Sequence, residues 1–218
     1  MRTLAILLTM AAAVTMGADK PRSFYVEVRG SGQPMILIPG LSSSPEVWKE
    51  TVDRYKGRYE CHLITVAGFM GKPRIEAPFL ETVQRDLAAY IREKKLNKPV
   101  LLGHSLGGFV ALRIAAAEPN LPGKVVIVDS VPYLALTMNP AIKPEAAKAM
   151  GDMMRTRVLN APSGGNINWV KGMATKPEDH ERIAAWGNQS DPRAVGDAMY
   201  EMFTTDLREE IGAITAPT

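Results

Sequence analysis

Apolar and polar positions along this chain fall into two periods, one of two residues and one of three to four. Phe24 to Arg29 alternates and predicts a strand. Gly30-Ser31-Gly32 predicts a turn and Met35 to Ile38 a second strand, the pair forming a hairpin. Ser44 and Pro45 suit the N-cap and first position of a helix over Glu46 to Tyr55. Tyr59 to Val66 predicts the next strand. Phe79 to Lys95 has helical spacing, with Phe79, Val83, Leu87 and Ile91 on one face. Glu81 and Arg85 are spaced to pair on its outer side. Pro99 to Leu102 predicts a short strand, and Leu106 to Glu118 a helix of small residues that ends before Pro119. Lys124 to Val128 is a continuous apolar run, the kind buried between helices in a parallel sheet. Strands alternating with helices predict an α/β fold.

After Asp129 the pattern becomes purely helical. Ala146 to Leu159 carries Met150, Met154 and Val158 on one face. Ser190-Asp191-Pro192 predicts a helix start, followed by Val195, Met199 and Phe203. Pro162-Ser163-Gly164-Gly165-Asn166 predicts a loop. Seven of the twelve methionines lie between Met138 and Met202. Methionine adapts to irregular apolar shapes, so these either line a pocket lid or pack a lid against a core. No internal repeat interrupts the chain.

The first residues bear on compartment. Met1-Arg2 is basic, Leu4 to Val14 is apolar, and small residues run through Ala18. That is the layout of a signal peptide over 1–17, with an uncleaved anchor as the alternative. The apolar run is shorter than the roughly 20 residues of a spanning helix. The expectation is an exported protein, periplasmic or extracellular, without stable membrane association after cleavage. The remaining ~200 residues suffice for one core.

Charge and cysteine narrow the partners. The formal net charge is +3, and no Lys/Arg run is interleaved with aromatics, so nucleic acid is not an expected partner. Cys61 is the single cysteine and forms no internal disulfide. On its predicted strand it reads as a buried, inert thiol. No His/Cys/Asp cluster has ligand spacing, so neither a metal nor an organic cofactor is expected. Oligomeric state is not legible.

The chemistry concentrates at Leu101-Leu102-Gly103-His104-Ser105-Leu106-Gly107-Gly108. Gly103, His104, Ser105 and Gly107 fit G-x-S-x-G between a predicted strand and a predicted helix. A nucleophile elbow requires that setting, because the turn is strained and side chains beside the serine would clash. The helix N-terminus favours negative charge near the Ser105 hydroxyl. Ser105 is therefore the candidate nucleophile; a chance turn serine is the alternative.

These residues, with Ile36-Leu37-Ile38-Pro39-Gly40-Leu41 and Val126-Ile127-Val128-Asp129, resemble the α/β-hydrolases with a helical cap. The resemblance covers roughly residues 23 to 218. It implies a mostly parallel sheet flanked by helices, with core over 18–132, cap over 133–205 and a return to the core over 206–218. It also implies an oxyanion hole made by the Leu41 and Leu106 N–H groups. Many members carry His-Gly where this chain has Pro39-Gly40, which matters little for a backbone donor. The implied reaction is hydrolysis of a small or medium ester through an acyl-enzyme. Lactonase, amidase, cofactor-free perhydrolase and carbon–carbon hydrolase activities stay open. The serine argues against the branches that use an aspartate nucleophile.

In this family the triad runs Ser, then Asp or Glu, then His. Only His180 follows Ser105, in a polar stretch that predicts a solvated side chain. His104 should point away from the Ser105 hydroxyl, and His62 lies upstream. Asp129 is a possible acid, since some members place a carboxylate there; otherwise it fixes local backbone. The family's last two strands, its acid and its histidine are expected beyond Thr218, which makes the chain a fragment. The alternative is a short, non-catalytic binding form.

Overall fold

The computed structural model of the chain describes residues 22–161 and 167–218. The signal peptide expected at 1–17 and the loop expected at 162–166 lie outside the described residues. Five strands form one sheet: β1 (Phe24–Gly30), β2 (Gln33–Ile38), β3 (Tyr59–Val66), β4 (Val100–His104) and β5 (Lys124–Val128). Their order is β1-β3-β2-β4-β5. β1 runs antiparallel to β3, and the other pairings are parallel.

The hairpin expected between β1 and β2 does not form, because β3 lies between them. Gly30 and Gly32, at φ +83° and +119°, turn the chain toward the residues that precede β3. There Ser31 N–H donates to the Lys56 carbonyl and Gln33 N–H to that of Arg58. Non-local pairing with β3, antiparallel to β1 and parallel to β2, has displaced the local one.

Helices cover both faces. On one lie α2 (Phe79–Glu93) and α3 (Leu106–Ala117). α2 buries Phe79, Leu80, Val83, Leu87, Ala88 and Ile91, the stripe its spacing predicts. Its outer Arg85 bonds Asp86 rather than Glu81. α3 is buried nearly all round, and Gly107, Gly108, Ala111 and Ala115 let it sit close to its neighbours. The opposite face is thinner. A 3-10 turn (Pro45–Trp48) and α1 (Lys49–Tyr55) bury Trp48 and Val52 against Met35, Leu37, Cys61, Leu63 and Leu102. Ser44 caps the turn, accepting from Glu46 N–H. Burial pushes the Cys61 thiol pKa up, in keeping with an inert thiol.

β5 departs from its expected burial on both faces. Val125 is buried, but Val126 and Val128 are 38% and 41% exposed. β5 is an edge strand, and the core under α1 and its 3-10 turn, built on β2, β3 and β4, does not extend to it. On its outer side, Val125 N–H donates to the Pro217 carbonyl.

Between β5 and the C-terminal residues the described elements are helical: a 3-10 turn (Leu134–Thr137), α4 (Pro144–Leu159), α5 (Ile167–Met173), α6 (Pro177–Asn188) and α7 (Pro192–Thr204). Met150 and Met154 pack by Tyr133, Ala147 and Phe203, whereas Met138, Met153 and Met173 are exposed. Among the described residues no helix is long and apolar enough to cross a membrane.

Leu87 is fully buried between α2 and the sheet. Leu87→Ala is expected to lower unfolding free energy by about 2–5 kcal/mol, with the urea m-value unchanged. Denaturant titration checks this; a loss under about 1 kcal/mol would place Leu87 outside the core.

Candidate active site

The parallel strands set the site. β2, β4 and β5 run the same way, with Ile38 opposite Gly103 and His104 opposite Val128. The segments leaving their carboxyl ends, Pro39-Gly40-Leu41-Ser42, Ser105 and Asp129, therefore emerge on one edge. That edge is where open α/β sheets place ligand crevices.

Ser105 sits between β4 and α3 with φ +51° and ψ −118°, a conformation rare for a residue with a Cβ. Its N–H donates to the Val128 carbonyl (2.9 Å), and its carbonyl accepts from Phe109 N–H (3.0 Å). The flanking glycines are required by close approach. A Cβ on Gly103 would stand 2.2 Å from the Gly107 oxygen, and one on Gly107 would stand 2.1 Å from the Ile38 oxygen. One on Gly108 would meet Ser130 Cβ at 2.6 Å. These contacts give the G-x-S-x-G match the physical setting of an elbow.

The Leu41 and Leu106 N–H groups are both free of hydrogen bonds among the described residues, as an oxyanion hole requires. Leu41 is half-buried and Leu106 fully buried. Gly40 faces the His104 ring: a Cβ there would lie 2.9 Å from Nδ1. No alanine fits without moving that ring.

A cavity of about 360 Å³ opens beside the serine. It is lined by Ser105, Phe109, Asp129, Ser130, Val131, Leu134, Thr137 and Met202. One wall is apolar, and the Asp129 carboxylate and the Ser130 and Thr137 hydroxyls supply polar groups. Thus Asp129 shares a cavity with Ser105. It has φ +48°. Ser130, Leu134, Thr137 and Met202 carry no local signal: the first three follow the end of β5 directly, and Met202 comes back to it on α7.

No histidine among the described residues hydrogen-bonds Ser105. His62 is buried on β3 and bonds Tyr90 Oη and Glu60 Oε1, both at 2.8 Å. His180 is half-buried rather than solvated, with Nε2 2.7 Å from the Ala174 carbonyl oxygen. His104 Nδ1 is buried without a partner. Burial holds the His104 pKa below the usual imidazole range, and the Asp129 charge opposes that shift.

A match to the model of the alpha/beta hydrolase family runs over residues 35–215, and the chain belongs to that family. Among curated relatives, the pimeloyl-[acyl-carrier protein] methyl ester esterase of Vibrio atlanticus (strain LGP32) is 28% identical over 120 residues. That match covers 55% of this chain and 45% of the relative. The enzyme of the same name from Aliivibrio salmonicida (strain LFI1238) is 29% identical over 211 residues, 89% of this chain and 75% of the relative. The chain thus spans about half of the first relative and three quarters of the second. A thermophilic esterase from Thermogutta terrifontis superposes with TM-score 0.75 at 22% identity, covering 89% of this chain and 72% of the other. A hydrolase from Pseudomonas aeruginosa gives TM-score 0.74 at 17% identity, covering 89% and 74%. At these identities the likeness is one of fold.

Two outcomes follow. Gly107→Ala is expected to lose about 3 kcal/mol or more of stability, because backbone and not a flexible side chain meets the new methyl; thermal unfolding reads it. For His104 the folded pKa lies below the unfolded value of about 6.5, so the unfolded state binds the extra proton. Its stabilising contribution is full above that pH and is lost as pH falls through the depressed folded pKa. His104→Gln should flatten the decline in urea midpoint below pH 6.5; an unchanged slope would mean that burial does not depress this imidazole.

Proposed function

We propose that the protein is a serine hydrolase acting on a small or medium carboxylic ester through an acyl-enzyme on Ser105. The observation that carries this reading is Ser105 in its positive-φ elbow, beside a cavity and two unused backbone donors. In the proposed reaction the Ser105 hydroxyl attacks the ester carbonyl as a base takes its proton. The Leu41 and Leu106 N–H groups stabilise the oxyanion, and the alcohol leaves with a proton. Water then releases the acid. Loss of one such donor typically costs about 3–4 kcal/mol of transition-state stabilisation.

The cavity's apolar wall suits an ester with an apolar part, and the curated relatives are named for a methyl ester. The base in this proposal is a histidine carried on chain beyond Thr218, where the fold resemblance puts it. The length of the relatives supports that placement. On this reading 133–205 forms the cap, and the chain is exported after removal of residues 1–17. The absence of an imidazole at Ser105 among the described residues favours a second reading, a hydrolase-fold protein that binds esters without cleaving them.

The test uses the complete gene product and a series of p-nitrophenyl esters. Ser105→Ala is expected to lower kcat/KM by at least about a thousandfold while the fold is retained. Hydrolysis that survives this change would overturn the mechanism. Ester binding without turnover in the parent protein would establish the second reading.

A further inference from the structure

α2 starts at Phe79 after Pro78, and no side chain at that N-cap accepts a hydrogen bond. The first N–H groups of a helix have no partner within it. Here the acceptor comes from α7, more than a hundred residues away. Glu201 Oε1 accepts from Phe79 N–H, and Oε2 accepts from Leu80 N–H (2.9 Å) and Glu81 N–H (3.3 Å). An anion at that end is also stabilised by the positive end of the helix dipole. Arg113 of α3, held by Gln84 at 2.7 Å, faces the same carboxylate and attracts it. Burial pushes the Glu201 carboxyl pKa up, against the pull of the three N–H groups and Arg113.

The other end of α7 has its own seat. Asp191 N–H donates to the Gly68 carbonyl, and a Cβ on Gly68 would meet Ala194 Cβ at 2.3 Å. Between these anchors Ala194, Ala198 and Met202 form one buried stripe against the main core. Two alanines hold the helix close, and the stripe ends at Met202, which lines the Ser105 cavity. Met202 directly follows Glu201, so the depth and rotation of that turn decide how far its thioether enters the cavity.

We propose that Glu201 is a positioning residue: by capping α2 from α7 it fixes Met202 in the wall beside Ser105, and so sets the length of apolar chain that the cavity accepts. This rests on the ester-binding reading above but not on turnover. It requires that loss of the cap change chain-length preference, beyond any loss of stability.

The test uses 2-alkanones of five to twelve carbons, unhydrolysable neutral analogues of esters, titrated calorimetrically into the complete protein at pH 8. Amide exchange at Phe79, Leu80 and Glu81 is followed in parallel. Glu201→Gln keeps the shape but puts an amide NH2 where a helix N–H needs an acceptor. It should raise exchange at these amides at least tenfold and change the ratio of long- to short-chain affinity at least threefold. Glu201→Asp, which keeps the charge, should restore part of both. Met202→Ala should shift the chain-length ratio while leaving exchange unchanged. Unchanged exchange in Glu201→Gln would overturn the cap. Faster exchange with an unchanged ratio would reduce Glu201 to a structural residue. Binding of no alkanone by the parent protein would overturn both this proposal and the ester-binding reading. Binding without ester turnover would sink the enzymatic reading alone.

Discussion

Everything at the candidate site depends on how closely the first turn of α3 approaches the ends of β2 and β4. The methyl of an alanine at position 107 would be 2.1 Å from the Ile38 oxygen, and at 103 it would be 2.2 Å from the Gly107 oxygen. Only glycine allows this contact. Because helix and strands meet so tightly, the residue between them is forced into a positive-φ turn, and that residue is Ser105. Such a conformation costs on the order of 1–3 kcal/mol. Burial of α3 on nearly all sides, including Phe109, Val110 and Ile114, offsets it. The core thus supplies the energy that holds one half-buried serine in a strained place.

The same tight packing gives the cavity its shape. Its floor is α3 and the end of β5; its far wall is helical segment. α7 is the link, fixed at one end by Gly68 and Asp191 and at the other by Glu201 on the α2 N-terminus. α4 follows α7 through Arg155, paired with the buried Asp197, and through the Tyr133–Ala147–Phe203 cluster. An interaction between two helix ends, far from the serine in sequence, is thereby felt in the wall of its cavity.

Much of this was legible in the chain itself. α2 could be read because its apolar stripe has one period and one buried face. The elbow could be read because its glycines answer a local steric demand. The five apolar residues of β5 predict full burial, because the pattern does not reveal how far the opposite helical layer extends. Local spacing predicts a hairpin of β1 and β2, and non-local pairing of both strands with β3 overrides it. Ser130, Leu134, Thr137 and Met202 bear no motif, and the Glu201 cap joins residues 120 apart. Neither could come from spacing. The elbow pattern turns His104 away from the serine, but no local signal shows that its ring stands against Gly40.

If Ser105 is the nucleophile as proposed, the strained turn makes it the one serine that reacts in the folded protein. The most direct measurement is to treat the complete protein with a serine-directed alkyl phosphonate and locate the adduct by tandem mass spectrometry. A single adduct on Ser105, formed in the folded protein and lost on prior unfolding, is the predicted result. An adduct on another residue, or equal labelling of folded and unfolded chains, would contradict the account.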